Sequence, residues 1–149
     1  GGLSEEYQKL KKRAGELGRI YCIMSDGELN EGTTWESAMV AAHHKLDNLC
    51  VVVDKNNWQA MGRTDDVLDL GNLQEKWSSF GWHAITLNGH DHKFIHETLL
   101  LRSDIGLPQV KIANTIKGKG VSMFEDKILY HYAHVDKETY DLAVAELLA

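Results

Sequence analysis

Apolar positions along this chain fall into short blocks separated by polar punctuation. Ile20 to Met24 is a nearly continuous apolar run, the pattern of a strand buried on both faces. Ser25-Asp26-Gly27 breaks it. Trp35, Ala38, Met39, Ala42 and Leu46 then recur at helical spacing, which predicts a helix with one stripe packed back on a sheet. Leu49 to Val53 is a second apolar, β-branched run, and it ends at Asp54-Lys55-Asn56-Asn57. The pattern is a βαβ unit with polar residues at the carboxyl ends of both strands, where open α/β sheets take their ligands. That rim is expected to be polar and open to solvent.

The flanking sequence continues the alternation. Leu3 to Leu17 predicts an amphipathic helix capped by Ser4, with Tyr7, Leu10, Ala14 and Leu17 on one face and Lys9, Lys11, Lys12 and Arg13 as a solvated face. Trp58 to Asp69 has no clean period and contains Gly62 and Arg63, so it reads as a long loop with a function. A short helix is predicted over Leu70–Phe80 and a strand over Trp82–Leu87. Asp91 caps a helix running to Arg102, with Phe94, Ile95, Thr98, Leu99 and Leu101 mostly inward. A strand follows Pro108 over Gln109–Asn114. Val135 to Ala149 closes the chain as a helix capped by Asp136, with Tyr140, Val144, Leu147 and Leu148 as its stripe. The expectation is one α/β domain over residues 1–149: a three-layer, mostly parallel sheet with helices on both faces.

Composition narrows the function classes. Apolar residues make up 43% and charged ones 26%, a globular balance, and the net charge of −6 argues against a general nucleic-acid surface. No apolar run approaches the roughly 20 residues needed to span a membrane. The opening GGLSEEYQKLKK lacks the apolar stretch of a signal peptide. Cys22 and Cys50 fall inside the two predicted strands and read as small buried hydrophobes, fitting a reducing cytoplasm, with a disulfide left open. His92 and His96 are one helical turn apart and close to His90, but zinc needs three or four ligands, and neither HExxH nor paired cysteines accompany them. These three, with His43 and His44, read as surface or packing residues.

The chemistry gathers at the strand ends. Asp26 and Asn56 lie 30 positions apart, one after each strand, so a carboxylate and an amide carbonyl converge if the strands are neighbours. Two hard oxygens suit Mg²⁺, which keeps water and favours phosphate oxygens. Gly27 has no Cβ to keep a diphosphate from its backbone. Taken singly, the first motif is a tight turn and the second a polar loop; at this spacing they read together as a metal–diphosphate site. Further on, Lys117-Gly118-Lys119-Gly120 lacks the GxxxxGK[ST] spacing of a Walker loop.

These residues resemble a known family. SDGELNEGTTWESAMVAAHHKLDNL followed by DKNN is similar to the thiamine diphosphate motif of the transketolases, in particular the amino-terminal subunit of transketolases split into two chains. The resemblance runs from about Arg19 to the C-terminus, with Ser25 where the family usually has Gly. It implies a thiamine diphosphate-binding fold and two-carbon ketol transfer between sugar phosphates, dependent on thiamine diphosphate and Mg²⁺. By resemblance, Mg²⁺ would be held by the side chains of Asp26 and Asn56 and the backbone carbonyl of Trp58, and Gly27 would offer its N–H to the diphosphate. His131, downstream of KGKGV, matches a histidine that contacts diphosphate and substrate, although Tyr132 replaces the Gly that usually follows. Glu31 matches an interface glutamate that couples paired active sites; it reads equally as a carboxylate favoured at a helix N-terminus.

The resemblance also implies an oligomer in the cytoplasm. A pyrimidine-binding partner subunit would carry the glutamate that activates the cofactor. The family's amino-terminal region, with further cofactor-contacting histidines, is expected to be partly missing here, leaving the isolated chain inactive. The competing readings are a non-catalytic Mg²⁺–diphosphate binding or assembly module, a 2-oxo acid dehydrogenase component and a deoxyxylulose phosphate synthase.

Overall fold

A computed structural model describes residues 18–100 and 106–149. The helix expected over Leu3–Leu17, with its basic face, lies outside the described residues, as do Leu101 and Arg102. Strands β1 (Ile20–Ser25), β2 (Leu49–Lys55), β5 (His83–Asn88) and β6 (Gln109–Asn114) form a parallel sheet in the order β1-β2-β6-β5. The βαβ unit is as expected: β1 and β2 are direct neighbours, in a register that sets Ser25 opposite Asp54. Helices α1 (Gly32–His43), α2 (Thr64–Leu68), α3 (Leu73–Ser79), α4 (His92–Leu100) and α5 (Lys137–Leu148) complete the main elements, with a two-stranded ladder of β3 (Trp58–Gln59) and β4 (Gly62–Arg63). No helix among the described residues is long and apolar enough to cross a membrane.

The core sits on one face of the sheet. Ala38 and Ala41 of α1 and Leu73 and Trp77 of α3 pack on Val51, Val53, Val110 and Ile112. Among the described residues Trp77 is the largest fully buried side chain, with its ring 5.1 Å from Trp35 and 4.8 Å from Trp82. The Trp82 indole donates to the Ala38 carbonyl at 2.9 Å, so the aromatic cluster fixes α1 as well as filling space. On the opposite face, Ile95, Thr98 and Leu99 of α4 meet Val52, Leu87, Lys111 and Ala113. Helices therefore cover both faces, as the alternation predicts.

The expected caps at Asp91 and Asp136 are present, accepting from Phe94 N and Thr139 N at 2.9 and 2.8 Å.

The structure corrects several burial assignments. β1 is the edge of the described sheet: Ile23 is 77% exposed, and Cys22 is exposed whereas Cys50 is buried. Both thiols are free. A continuous apolar run marks a strand but cannot say how many neighbours cover it, and a groove of about 280 Å³ lined by Cys22, Met24, Ser37, Ala41 and Trp77 opens between β1 and α1. Met39 is exposed, and Ala41 takes the inward place in the α1 stripe; Phe94 of α4 is exposed as well. Of α5, Ala143 is buried whereas Tyr140, Leu147 and Leu148 face solvent, so that stripe does not pack on the described residues as expected. Trp58–Asp69 is not an unstructured loop: it holds the β3–β4 ladder and α2.

Candidate functional site

Asp26 is the first residue beyond β1, and its backbone N–H donates to the Asp54 carbonyl at 3.2 Å, carrying the ladder one step past the strand. The rim is expected from sequence to be exposed; Asp26 is instead fully buried. One carboxylate oxygen, Oδ2, accepts from the Asn57 backbone N–H at 2.7 Å and the Thr64 hydroxyl at 3.1 Å. The other, Oδ1, is buried with no partner. Burial pushes the Asp26 carboxyl above its ordinary range, against the pull of the Asn57 amide and the Thr64 hydroxyl. A buried acceptor left unpaired is costly, and a charged one more so. A cation against Oδ1 would remove that cost.

The turn after Asp26 is tightly specified. Ser25, the departure from the family pattern, is used in it: its hydroxyl accepts from Glu28 N at 3.3 Å, while Glu28 Oε2 accepts from Ser25 N at 2.7 Å. This reciprocal pair is a capping box over the 3-10 turn Gly27–Asn30. A Cβ added at Gly27 would stand 3.4 Å from Gln59 Cγ, an ordinary contact, so the Gln59 side chain lies close against that backbone. Gln59 Nε2 and Asn30 Oδ1 are also buried without partners.

The loop after β2 brings the remaining oxygens. Asn56 Nδ2 donates to Asp54 Oδ2 at 3.0 Å, and Asn56 Oδ1 accepts from Trp58 N at 3.0 Å, an Asx turn that leaves the oxygen a second lone pair. Asn57 takes a left-handed backbone, φ +64, which asparagine tolerates better than most residues. That conformation aims its N–H at Asp26, and its carbonyl accepts from Thr64 N at 3.1 Å.

The glycine-rich loop is tied in by Thr115. Its N–H donates to the Lys55 carbonyl at 3.1 Å, and its hydroxyl donates to Asp54 Oδ1. Gly118, at φ +72, lies where a Cβ would come within 2.7 Å of the Phe124 carbonyl. Glu125 closes the loop by accepting from Gly120 N at 3.0 Å and pairing with Lys119 at 3.2 Å, and these partners hold its carboxyl below the usual range. The chain then enters the 3-10 turn Ile128–His131, which packs against β3. His90, expected as a surface histidine, has a structural task here: its Nε2 accepts from Ile116 N at 2.8 Å.

Asp26, Gly27, Asn56 and Trp58 thus gather at one rim through direct bonds or shared turns. His131 arrives on a segment packed against the strand that begins with Trp58, and its side chain is exposed. Glu31 does not join the cluster. It stands exposed at the residue before α1, and its side chain makes no capping bond.

Three side chains at the site are not singled out by sequence: Thr64, Gln59 and Asp126. Thr64 lies 38 positions from Asp26 and is set by the ladder geometry, for which the sequence carries no motif. Thr64→Val is expected to destabilise the chain by about 1 kcal/mol through the lost hydrogen bond to a buried carboxylate, read as a lower urea midpoint with an unchanged slope. An unchanged midpoint would show that the bond contributes nothing net.

Three comparisons place the chain among known proteins. A family model described as the transketolase thiamine diphosphate-binding domain matches residues 6–146. The chain is 40% identical over 136 residues to one of the named subunits of the apulose-4-phosphate transketolase of Actinobacillus succinogenes, covering 91% of this chain and 49% of that protein. It is 39% identical over 129 residues to the SqwG subunit of the 6-deoxy-6-sulfo-D-fructose transketolase of a Clostridium species, covering 86% and 47%. The chain spans about half the length of these curated relatives. Among solved structures, a transketolase from Campylobacter jejuni superposes with a TM-score of 0.80 at 29% identity, over 87% of this chain and 20% of that one.

Proposed function

The chain belongs to the transketolase family, as its thiamine diphosphate-binding domain, and from that premise we propose that it is the diphosphate- and Mg²⁺-anchoring component of a two-chain transketolase. It acts with a pyrimidine-binding partner subunit on sugar phosphates or close analogues. The observation that carries this reading is the buried Asp26 carboxylate, with one oxygen unpartnered beside a bare glycine backbone at the ends of two parallel strands. Those features fit a hard divalent cation next to a diphosphate.

Asp26 Oδ1, the free lone pair of Asn56 Oδ1 and the Trp58 carbonyl would hold the metal. Gly27, whose amide also pulls on the Asp26 carboxyl, would offer its N–H to the diphosphate, and the unpartnered Gln59 amide beside it would be a further donor. When bound, thiamine diphosphate supplies the electron sink for breaking and re-forming a carbon–carbon bond next to a ketose carbonyl. This chain's part is to anchor and orient, and His131 contributes its imidazole toward diphosphate and substrate. The pyrimidine end and its acid–base glutamate belong to the partner, as the family resemblance implies. Relatives that are themselves named as single subunits of transketolases support that division.

The test is a coupled ketol-transfer assay on the full-length chain, on its partner and on their mixture, with thiamine diphosphate and Mg²⁺ present. Xylulose 5-phosphate, apulose 4-phosphate and 6-deoxy-6-sulfofructose are compared as donors, with ribose 5-phosphate as acceptor. Turnover is expected in the mixture alone. Cofactor binding without turnover of any donor would favour the non-catalytic binding module, and turnover by the chain without its partner would overturn the division of labour.

A further inference from the structure

The glycine-rich loop is tied back to the rim through Asp126. That residue holds a left-handed backbone, φ +55, without the freedom of a glycine, and its N–H donates to the Lys117 carbonyl at 2.9 Å. The conformation closes the loop and turns the carboxylate outward toward the β3–β4 ladder. There it accepts from Trp58 Nε1 at 2.8 Å, from Arg63 Nη1 at 2.8 Å and from Arg63 Nη2 at 2.5 Å. The Arg63 guanidinium in turn lies over the Trp58 indole, 4.0 Å from its ring centre.

An isolated ion pair at this exposure contributes little. Here a bidentate fork, an indole donor and a stacked guanidinium converge on one carboxylate, which fixes direction as well as attraction. Its position gives the cluster a consequence. Trp58 begins the ladder and carries the carbonyl assigned to the metal, while Asp126 stands two residues before the turn Ile128–His131.

We propose that Asp126 is a positioning residue that, clamped by Arg63 and Trp58, latches the His131-bearing turn to the metal-binding loop. The proposal rests on the reading of His131 as a diphosphate and substrate contact. Ordering that turn before a ligand arrives removes a cost that binding would otherwise bear. Loss of the latch therefore loosens the turn in the absence of ligand and weakens cofactor binding when ligand is added.

Hydrogen exchange on the full-length chain without cofactor tests the first half. In Asp126→Ala, amides of residues 128–132 should exchange about fivefold faster or more, while those of β2 and β6 keep their protection. Asp126→Asn, which keeps an acceptor for the indole, should fall between. Arg63→Lys, which keeps the charge but loses the fork, should move in the same direction and stands in if the alanine variant folds poorly. Thiamine diphosphate titrations in Mg²⁺, followed by tryptophan fluorescence, test the second half. Asp126→Ala should weaken binding about three- to tenfold, and His131→Ala should add little on that background. Unchanged exchange at 128–132, or full additivity of the two substitutions, overturns the latch. Failure of the parent chain to bind cofactor would overturn the functional reading instead, with the exchange result still deciding whether the latch exists.

Discussion

Asp26→Asn is expected to abolish the stabilisation that Mg²⁺ and thiamine diphosphate confer, while leaving the ligand-free chain at least as stable as its parent. The amide oxygen can still accept from the Asn57 N–H and the Thr64 hydroxyl, the two bonds that hold the rim together. What changes is the far side of the group. The unpartnered Oδ1 becomes an NH₂, a donor where a cation needs an acceptor, and the charge is gone. Removing a buried, half-satisfied carboxylate also removes a desolvation penalty, so the variant should not lose stability without ligand. In the parent, cofactor at about 100 times its dissociation constant should stabilise by about 2.7 kcal/mol through linkage. Melts of both proteins, with and without Mg²⁺ and thiamine diphosphate, give the comparison. Equal ligand-induced shifts in the two would remove Asp26 from the metal site. A large loss of ligand-free stability in the variant would show that the carboxylate is a structural acceptor first.

The contrast between what sequence shows and what it hides follows from how far each feature reaches. The βαβ unit, its strand bounds and the pairing of Asp26 with the Asn56 loop are legible because each rests on local pattern, and a short crossover makes the two strands neighbours. The same pattern puts Asp26 in solvent and β1 in the interior, and the structure buries Asp26 and exposes much of β1. Burial of Asp26 comes with the segment 57–64, whose Asn57 N–H and Thr64 hydroxyl close on its carboxylate, and exposure of β1 from its place at the edge of the described sheet. Neither is encoded by alternation of apolar and polar residues. Asp126 carries no signal in sequence because its partners lie 63 and 68 positions away. Ser25 shows the reverse case: it departs from the family pattern, and its hydroxyl becomes half of a capping box with Glu28.

The two neighbouring residues Asn56 and Trp58 should separate cleanly when each is changed. On the proposed reading Asn56 would offer a side-chain oxygen to the metal, and the same side chain builds the Asx turn that presents the Trp58 backbone. Asn56→Ala therefore removes one ligand and loosens another, and Mg²⁺ affinity in the presence of thiamine diphosphate should fall at least about tenfold, the scale seen even for groups that only orient a ligand. Trp58 would offer only its carbonyl, which phenylalanine supplies equally well, so Trp58→Phe should leave Mg²⁺ affinity within about twofold, inside the cost of one lost hydrogen bond. The indole N–H is different. It donates to Asp126, and phenylalanine cannot, so the same variant should speed exchange across residues 128–132 in part, while the remaining Arg63 fork on Asp126 keeps the metal titration within that twofold. Mg²⁺ titrations and hydrogen exchange on both variants resolve the two roles. If Trp58→Phe lost metal affinity as badly as Asn56→Ala with the sheet amides still protected, the indole itself would be part of the metal site, and the division between a backbone ligand and a side-chain tether would fail.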